Sequence, residues 1–575
     1  MSDKAPKGSS WYATATDVLS SAYDGIVPTL GYIKRSVEDV IQIPYSNVTE
    51  GHSNITSSYS SLESSTNYSN VTIAIGVVAA SAVGAGIYSC AKMYRRRNKY
   101  RHYKTNQLAP GPTPLPIVGN VLQLRTHYYE TLYRFVEQPA SVFWVMSDPF
   151  IVVNEEAALR RVLGGANGLY TKPKYFGYRS RAVTKAVQSE KKQVALESIQ
   201  YDPNGDVSRA ALEGMIISSF GTIKGSMVDL LHMLDDASSH DITIRPNNDP
   251  DTVNPVRRSI VGLNLNLLFG VKGERANEVD HRHVSETISS AGTEFARRMV
   301  NPFKVLIDIP SNLRFLFDVS SLISLGRRLC GILDDSVKCS MASEGHGGVR
   351  NASGCSWVHA WIGKVGTIGK LGKVVGLLMA STQTVPLAAV WMLHLVANDE
   401  NIKAKLREEL EDLGVHKIRD LRYEHLEKME VAEAVIKETL RLYPPFPLIQ
   451  RQAQLDDVLA DITVTAGSIV YVVPWLVHRN PKYWSNAHEF RPERFLEESR
   501  SHGDAPSDWL YLPFGRGSRM CAGSKLALTE LKILLCHAVC SYDWESRKEI
   551  ILRDSKFPEL GMDPKGIRMS FRRRN

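Results

Sequence analysis

The stretch FGRGSRMCAG, residues 514–523, sets Cys521 among three glycines and two arginines. A zinc site or a disulfide would need a second cysteine at a suitable spacing, and the next ones, Cys536 and Cys540, lie in an apolar run. Gly515 and Gly517 predict a tight turn, because glycine tolerates positive φ. The stretch therefore predicts a turn that presents a thiol for chemistry; the alternative is a buried structural cysteine in a glycine-rich turn.

The surroundings of Cys521 meet the demands of a thiolate that binds haem iron. Gly523 has no side chain, so the backbone just beyond the thiol can lie against a flat macrocycle. Amides at the start of a helix predicted near residue 522 would stabilise the thiolate. Phe514 is placed to cover the sulfur, and Arg519 is placed to pair with a haem propionate.

All fixed positions of the pattern Phe-x-x-Gly-x-Arg-x-Cys-x-Gly are matched, by Phe514, Gly517, Arg519, Cys521 and Gly523. On these residues the sequence resembles the cytochrome P450 superfamily of haem-thiolate monooxygenases, in its membrane-anchored eukaryotic microsomal form. The resemblance implies haem b as the cofactor, bound by these residues, with Cys521 as the axial ligand of the iron.

Two further motifs resemble the same family. Glu438 and Arg441 are three residues apart and therefore share a helix face, and this helix ends in RLYPPFP. Downstream, FRPERF (490–495) resembles the family's meander segment. The resemblance implies that Glu438, Arg441 and Arg494 form a buried charge network that braces the haem pocket. A carboxylate between two guanidiniums is physically sensible, because each buried charge alone would be costly.

The apolar stretch 365–397 predicts the helix on the oxygen side of the haem. It contains ASTQT (380–384), where the family has small-Gly-x-acid-Thr. Thr384 matches the threonine that assists dioxygen activation, while Gln383 replaces the acid and Ser381 replaces the glycine. We predict these three residues as catalytic. Gln383 can orient water, but it cannot shuttle a proton as a carboxylate does.

Pro386 follows in the same helix and cannot donate to the carbonyl of Thr382, which predicts a local opening of the turn. The Thr-x-Pro ending and the downstream Trp391 are similar to the branch that contains sterol and bile-acid hydroxylases and prostacyclin synthase. Two enzymatic interpretations stay open: a monooxygenase acting on a sterol or related lipid, and a reductase-independent isomerase or dehydratase acting on a lipid peroxide. The non-enzymatic alternative is a haem-binding sensor or carrier.

The monooxygenase interpretation implies several partners. Electrons would come from NADPH through NADPH-cytochrome P450 reductase, with cytochrome b5 as a further candidate, and the substrate would be a lipophilic small molecule. An acidic reductase would dock on a basic surface near the cysteine, formed by Arg516, Arg519, Lys525 and Lys532. The family's Trp-x-x-x-Arg motif does not occur between residues 150 and 300, which leaves the second propionate partner unassigned.

Residues 72–91 are twenty residues without a charge, long enough to cross a bilayer as one helix. A basic flank follows, which the positive-inside rule keeps in the cytosol. Residues 1–71 would then be a luminal extension, expected to be disordered and glycosylated, with acceptor sequons at Asn47, Asn54, Asn67 and Asn70. We therefore expect a single-pass glycoprotein of the endoplasmic reticulum membrane with a cytosolic catalytic domain. The alternative is a soluble helix rich in small residues behind a serine-rich tail.

A basic, proline-rich hinge (92–119) leads to the body of the protein, residues 120–575. The body is predicted to be mainly α with small β-sheets, the cytochrome P450 fold preceded by a single transmembrane helix. Patterning predicts helices at 398–414, 426–443 and 523–540 and short strands between 461 and 475. The net charge of +8 is spread along the chain without a nucleic-acid motif, which argues against nucleic-acid binding.

Overall fold

The computed structural model describes the chain in several ranges. They are residues 87–88, 91–102, 104–115, 119–126, 128–145, 148–165, 168–173, 207–238, 242–243, 255–269, 271, 283–288, 290, 320–335, 358, 367–496, 507–546 and 567–574. The predicted luminal extension and its sequons lie outside the described residues, as does most of the predicted transmembrane segment.

The chain forms two compact units. The smaller unit comprises Met1–Tyr100, Pro112–Asn120 and Phe143–Pro149, and the larger unit comprises Arg101–Gly111, Val121–Val142 and Phe150–Asn575. In the smaller unit, residues 91–97 are helical, and Arg96 pairs with Asp148. Tyr100 packs edge-on against Trp144, with their ring centres 6.0 Å apart.

The helices of the larger unit are α1 Val121–Thr126, α2 Tyr128–Tyr133, α3 Glu156–Leu163, α4 Val207–Ser218, α5 Phe220–Ser238, α6 Pro255–Phe269, α7 Thr367–Ala397, α8 Glu400–Asp412, α9 Tyr423–Leu426, α10 Glu430–Leu442, α11 Pro474–Val477 and α12 Ser524–Ser541. Residues 283–288 and 320–335 are also helical. Helix therefore dominates the described residues, as predicted.

The strands are β1 Ala140–Val145, β2 Asp148–Val153, β3 Tyr170–Thr171, β4 Ile242–Thr243, β5 Ile449–Ala453, β6 Asp457–Leu459, β7 Ile462–Val464, β8 Ile469–Val472, β9 Tyr542–Ser546 and β10 Arg568–Arg573. They form a five-stranded sheet in the order β1-β2-β8-β5-β3, a three-stranded sheet β4-β10-β9 and the hairpin β6-β7. β2 and β8 run parallel, with Phe150 opposite Ile469, and β5 runs antiparallel to β8, with Ile449 opposite Val472. These small sheets confirm the second part of the predicted fold class.

The predicted helices form with shifted starts. α8 begins after Asp399, whose side chain accepts a hydrogen bond from the Ile402 amide at 3.0 Å, and the chain leaves the helix at Gly414 with φ +70°. α10 begins four residues later than predicted, at Glu430, and ends just before Tyr443 and the two prolines that follow.

The core of the larger unit is built around α7. Gly369–Ala397 within α7 is the one helix, among the described residues, that is long and apolar enough to cross a membrane, but most of its apolar stretch is buried. α7 packs against α6, α10 and α12. The apolar run of α7 therefore packs in the protein interior, and it carries one turn with hydroxyl residues, at positions 381–384.

Candidate active site

The loop before α12 folds as a tight turn around Cys521. Gly515 and Gly517 adopt left-handed φ values of +67° and +76°. A Cβ atom on Gly517 would collide with the carbonyl oxygen of Leu163, so glycine is required there for space as well as for φ. The Cys521 amide donates to the carbonyl of Phe514 at 2.9 Å, which closes the loop. The glycines predicted to shape the turn do so.

Cys521 itself is exposed on the loop, while the protein that surrounds it still desolvates the sulfur. Burial raises the pKa of the Cys521 thiol, although the Gly523 amide and the positive charge of Lys172 both act to lower it. The predicted amide at the start of α12 therefore acts in the expected direction but is outweighed. The loop alone does not hold a thiolate, and a bound metal cation would have to complete the deprotonation.

Three cationic side chains lie near one another, and one of them, Lys172, is close enough to the thiol for its charge to act on Cys521. Burial, together with Arg451 and Arg519, lowers the pKa of Lys172 to about 8. Burial, together with Arg519, lowers the pKa of Arg451 to about 10. Arg451 is 5% exposed and donates to the carbonyl of its neighbour Gln450 at 3.0 Å. Like charges held together in a poorly solvated place favour an anionic ligand.

The predicted charge network is assembled as expected. Arg441 grips Glu438 through Nε to Oε2 at 2.7 Å and Nη2 to Oε1 at 2.8 Å, and Arg494 Nε reaches Oε1 at 3.1 Å. The Arg491 amide adds a fourth donor at 2.9 Å. Arg441 also donates to backbone carbonyls of the segment 478–489, at 2.7 Å from His478 and Ala487 and 3.0 Å from Glu489.

His478 ties this network to the cysteine loop and was not predicted as a site residue. Its Nδ1 donates to the carbonyl of Arg441 at 3.0 Å, and its Nε2 accepts from the Leu512 amide at 2.7 Å. Burial, followed by the charge of Arg441, lowers the pKa of His478 well below its ordinary value, so the ring is neutral. One imidazole therefore fixes the distance between α10 and the chain that enters the loop at Phe514.

The hydroxyl groups of Ser381, Thr382 and Thr384 on α7 are bonded within the helix. Thr384 Oγ1 donates to the carbonyl of Ala380 at 3.0 Å, and Thr382 Oγ1 donates to that of Leu378 at 2.6 Å. Ser381 Oγ also donates to the carbonyl of Leu378, at 3.2 Å. Such bonds are easily exchanged for bonds to a ligand or water. α7 remains helical through Pro386, so the predicted opening does not interrupt the helix.

The other two polar groups on α7 differ in their contacts. Gln383 is 8% exposed, and its Nε2 has no hydrogen-bond partner among the described residues. The carbonyl of Ser381 accepts from Asn264 Nδ2 on α6 at 3.2 Å. The structure therefore brings Ser381, Gln383 and Thr384 onto one stretch of a buried helix, as predicted, and leaves an amide donor of Gln383 available.

The predicted basic docking surface needs a correction. Lys532 is only 6% exposed and bonds Glu433 Oε2 at 2.8 Å and the carbonyl of Leu426, so it is an interior residue of α12. Arg516 pairs with Asp508 at 2.7 Å, and Lys525 pairs with Glu213 at 2.5 Å. The prediction about Lys532 was wrong because a lysine within an apolar helical run was read as a surface group.

Comparison with known proteins supports the resemblance to the cytochrome P450 family. Residues 370–571 match the family model "Cytochrome P450". Cytochrome P450 4V2 of Homo sapiens is 34% identical over 199 residues, which cover 33% of this chain and 36% of that protein. Cytochrome P450 3A9 of Rattus norvegicus is 32% identical over 172 residues, 30% of this chain and 33% of that protein.

A plant member of the family is similar to the same degree. Protopine 6-monooxygenase of Eschscholzia californica is 31% identical over 185 residues, which cover 32% of this chain and 35% of that protein. The chain thus covers about a third of the length of the curated relatives that it matches. The segment that matches the family model, residues 370–571, includes the Phe514–Gly523 motif and so supports the resemblance that this motif carries.

The residues around Cys521 fit the haem that the P450 family implies. A haem presents one metal ion and two carboxylates, and the structure offers one thiol near Lys172, with Arg451 and Arg519 near that lysine. Lys172 and Arg451 were missed as site residues. The spacing of Arg451, ten residues after Arg441, is the signal that could have found it; Lys172, in the segment YTKPK, carries no such signal.

Proposed function

We propose that this chain is a haem-thiolate monooxygenase of the cytochrome P450 family that inserts one oxygen atom from O2 into a lipophilic substrate. The observation that carries the proposal is the tight glycine turn that presents the Cys521 thiol near Lys172, with Arg451 and Arg519 near Lys172 in turn. Similarity to a protein named Protopine 6-monooxygenase supports the reaction class.

In this proposal the cysteine loop and the cations hold the cofactor. Haem b, when bound, supplies the oxygen activation, and a thiolate ligand favours cleavage of the O–O bond. Cys521 would bind the iron, and Gly523, which has no side chain, would let the backbone lie close to the ring. Arg451, Arg519 and Lys172 would supply cations for the two propionates through charge-assisted hydrogen bonds. Glu438, Arg441 and Arg494 hold α10 and the segment 478–494 in place beside the cysteine loop.

On the opposite side of the site, α7 would handle protons. The Thr384 hydroxyl can leave the carbonyl of Ala380, 3.0 Å away, and donate to a group in the pocket. Gln383 stands where an acid is usual and can only orient water through its amide. Proton delivery therefore runs through the hydroxyl of Thr384 and ordered water, with Ser381 leaving room beside it.

The electrons would come from NADPH through NADPH-cytochrome P450 reductase, and cytochrome b5 is a second candidate donor. A surface for an acidic partner is supported by Arg516 and Lys525, because Lys532 is interior. Arg516 and Lys525 both pair with carboxylates, while Arg519 is assigned to the haem, so docking would exchange these two ion pairs for ones with the partner.

For the substrate we propose a sterol or related lipid. The support is the similarity of the Thr-x-Pro ending of α7 to the sterol and bile-acid hydroxylase branch. A membrane anchor at residues 72–91 would give membrane-dissolved molecules direct access to the pocket. Soaking the holoenzyme with sterols and recording the haem spin state tests this class, and the absence of any spin-state change across sterols would contradict it.

The second candidate is a reductase-independent isomerase or dehydratase that acts on a lipid peroxide. Gln383 favours it, because such a reaction needs no proton delivery by a carboxylate. Turnover of a lipid hydroperoxide by the purified protein without NADPH or reductase would establish this alternative in place of the monooxygenase.

We also propose a single-pass endoplasmic reticulum topology with residues 1–71 in the lumen. The support is the charge-free segment 72–91 followed by a basic flank. Glycosidase treatment of the cell-made protein should lower its apparent mass, and Asn47→Gln with Asn54→Gln should remove most of that change. A mass that glycosidase leaves unchanged contradicts a luminal extension.

The central experiment is the spectrum of the reduced protein under carbon monoxide. The wild-type holoprotein should show the red-shifted Soret band of a thiolate-bound haem, and Cys521→Ser should lose both this band and product formation. Cys330→Ser, a half-buried thiol on the helix 320–335, is the control and should keep both. A Cys521→Ser protein that retains the band would overturn the proposal.

A further inference from the structure

A line of aromatic rings begins on α7 and ends at the protein surface. Trp391, which is 1% exposed, stacks face to face on Tyr443, with ring centres 3.5 Å apart and planes at 6°. Tyr443 directly follows α10, so this stack joins the two core helices. Trp391 comes seven residues after Thr384 and therefore faces the same side of α7, about 10 Å further along the helix.

Arg479 connects this stack to the next ring. Its guanidinium carbon lies 5.7 Å from the ring centre of Tyr443 and 4.6 Å from that of Trp475. The side chain is 1% exposed, and its Nε and Nη1 have no hydrogen-bond partner among the described residues. Contact with these two rings therefore helps to stabilise the buried guanidinium, together with the charge of Glu438.

The line continues from Trp475 to α2. The ring centre of Tyr133 lies 6.1 Å from that of Trp475, and Tyr133 is half-buried. The phenol of Tyr133 donates to Nε2 of His488 at 2.9 Å. Burial, followed by the charges of Arg479 and Arg441, lowers the pKa of His488, so its ring is neutral and can accept a proton.

We propose that Trp391, Tyr443, Trp475 and Tyr133 form an electron-transfer path that carries oxidising equivalents from the haem site to the protein surface. This inference rests on the proposed function, since the oxidising equivalent arises at the haem. The path protects the site when dioxygen or peroxide is activated with no substrate to oxidise.

Electrons and protons move along the path in the following order. One electron moves from Trp391 to the oxidised haem site and is replaced in turn from Tyr443, Trp475 and Tyr133. Tyr133 also loses its O–H proton to Nε2 of His488 and becomes a neutral tyrosyl radical. A soluble thiol then donates a hydrogen atom to the Tyr133 oxygen and becomes a thiyl radical, while His488 releases its proton to solvent.

Charge sets the direction of transfer. A positive guanidinium between Tyr443 and Trp475 disfavours a further positive charge on either ring, because like charges repel strongly in a poorly solvated interior. Tyr133 has a proton acceptor and loses its charge on oxidation. The oxidising equivalent therefore passes through the inner rings and rests at Tyr133.

The test is to treat the substrate-free holoenzyme with hydrogen peroxide and a nitroso spin trap, and to map the adducts by peptide mass spectrometry. The wild type should carry the adduct on Tyr133, and electron paramagnetic resonance should show a tyrosyl radical. Trp475→Phe should reduce both signals at least about fivefold, and Tyr133→Phe should abolish the adduct there. Trp475 Nε1 has no partner among the described residues, so phenylalanine costs this site no hydrogen bond.

Trp544→Phe is the matched control. Trp544 is 2% exposed and also contacts α7, through a 2.9 Å bond from Nε1 to the carbonyl of Leu393, but its stacking partner is Phe571. This variant should keep the Tyr133 adduct. An adduct on Tyr133 that survives Trp475→Phe unchanged, or adducts only elsewhere, overturns the path. Because the carbon monoxide spectrum is recorded on the same samples, a failed path is distinguishable from a failed haem-thiolate site.

Discussion

Glu438 and Arg441 meet one helical turn apart through two hydrogen bonds of 2.7 and 2.8 Å, and neither side chain has any exposed surface. Replacing Glu438 by glutamine would leave the guanidiniums of Arg441 and Arg494 buried without their counter-charge. Breaking a buried pair in this way costs about 3–5 kcal/mol. We therefore expect Glu438→Gln to lower the free energy of unfolding by that amount in urea denaturation.

An exposed pair of similar spacing supplies the control for this change. Arg134 and Glu130 pair at 3.1 Å, with side chains 69% and 59% exposed. Glu130→Gln should change the free energy of unfolding by less than about 1 kcal/mol. If both variants change stability equally, the buried network does not brace the domain.

Glu530 on α12 predicts an unusual dependence of stability on pH. The residue is 1% exposed, neither carboxyl oxygen has a hydrogen-bond partner among the described residues, and burial raises its pKa to about 8 from an ordinary 4.5. Folding thus requires proton uptake above pH 4.5, and the cost reaches about 3 kcal/mol at pH 7. Stability should fall as the pH rises from 4.5 to 8, and Glu530→Gln should remove this slope.

Glu433 serves as the comparison for Glu530, because its pKa shifts the other way. Burial opposes the shift, but hydrogen bonds from Lys437 and Lys532 lower the pKa of Glu433 to about 2. Its contribution is present above pH 4.5 and is lost as the pH falls toward 2. Glu433→Gln should therefore destabilise the protein at pH 7. A Glu530→Gln protein that is less stable than wild type at pH 8 would contradict the assignment of Glu530.

The hydroxyl of Thr384 can be tested by the coupling of electron use to product. Thr384→Val removes the group proposed to guide protons, so product formed per NADPH should fall about tenfold or more while hydrogen peroxide release rises. Thr382→Val makes the same change two residues away, at a side chain that is fully buried and bonded to the carbonyl of Leu378. Equal loss of coupling in both variants would assign the effect to helix packing.

We expect Arg451 to lower the stability of the haem-free protein and to slow the loss of haem from the holoprotein. Its buried guanidinium lies near Arg519, so Arg451→Leu should make the haem-free protein more stable in urea denaturation. The same change removes a charge-assisted bond worth about 1.5–3 kcal/mol, so haem should pass to apomyoglobin at least about tenfold faster. Arg451→Lys, which keeps the charge, should lie between the two. Unchanged haem loss in Arg451→Leu would remove this residue from the cofactor site.

The sequence predicted most of what local spacing controls. The turn at Gly515–Gly517, the face shared by Glu438 and Arg441, and the hydroxyl stretch of α7 each follow from neighbours a few residues apart. The helix periodicities predicted the starts of α8 and α12 to within two residues, whereas the start of α10 was predicted four residues too early.

The rest depends on contacts between distant parts of the chain, which spacing cannot predict. Lys172 reaches the cysteine loop only because β3 pairs with β5, where Tyr170 lies opposite Ala453. His478 is identified by its two backbone partners in the folded chain. Lys532 illustrates the converse, since its partner Glu433 is 99 residues away and turns an apparent surface charge into an interior one.

The charge network of Glu438, Arg441 and Arg494 has a consequence for folding during synthesis. All its charged members lie between residues 438 and 494, and both carboxylate oxygens of Glu438 accept hydrogen bonds from this segment. A newly synthesised chain can thus complete this scaffold before Cys521 has even left the ribosome. The haem pocket would then be partly formed before the haem is inserted, and haem insertion would be a late step of maturation.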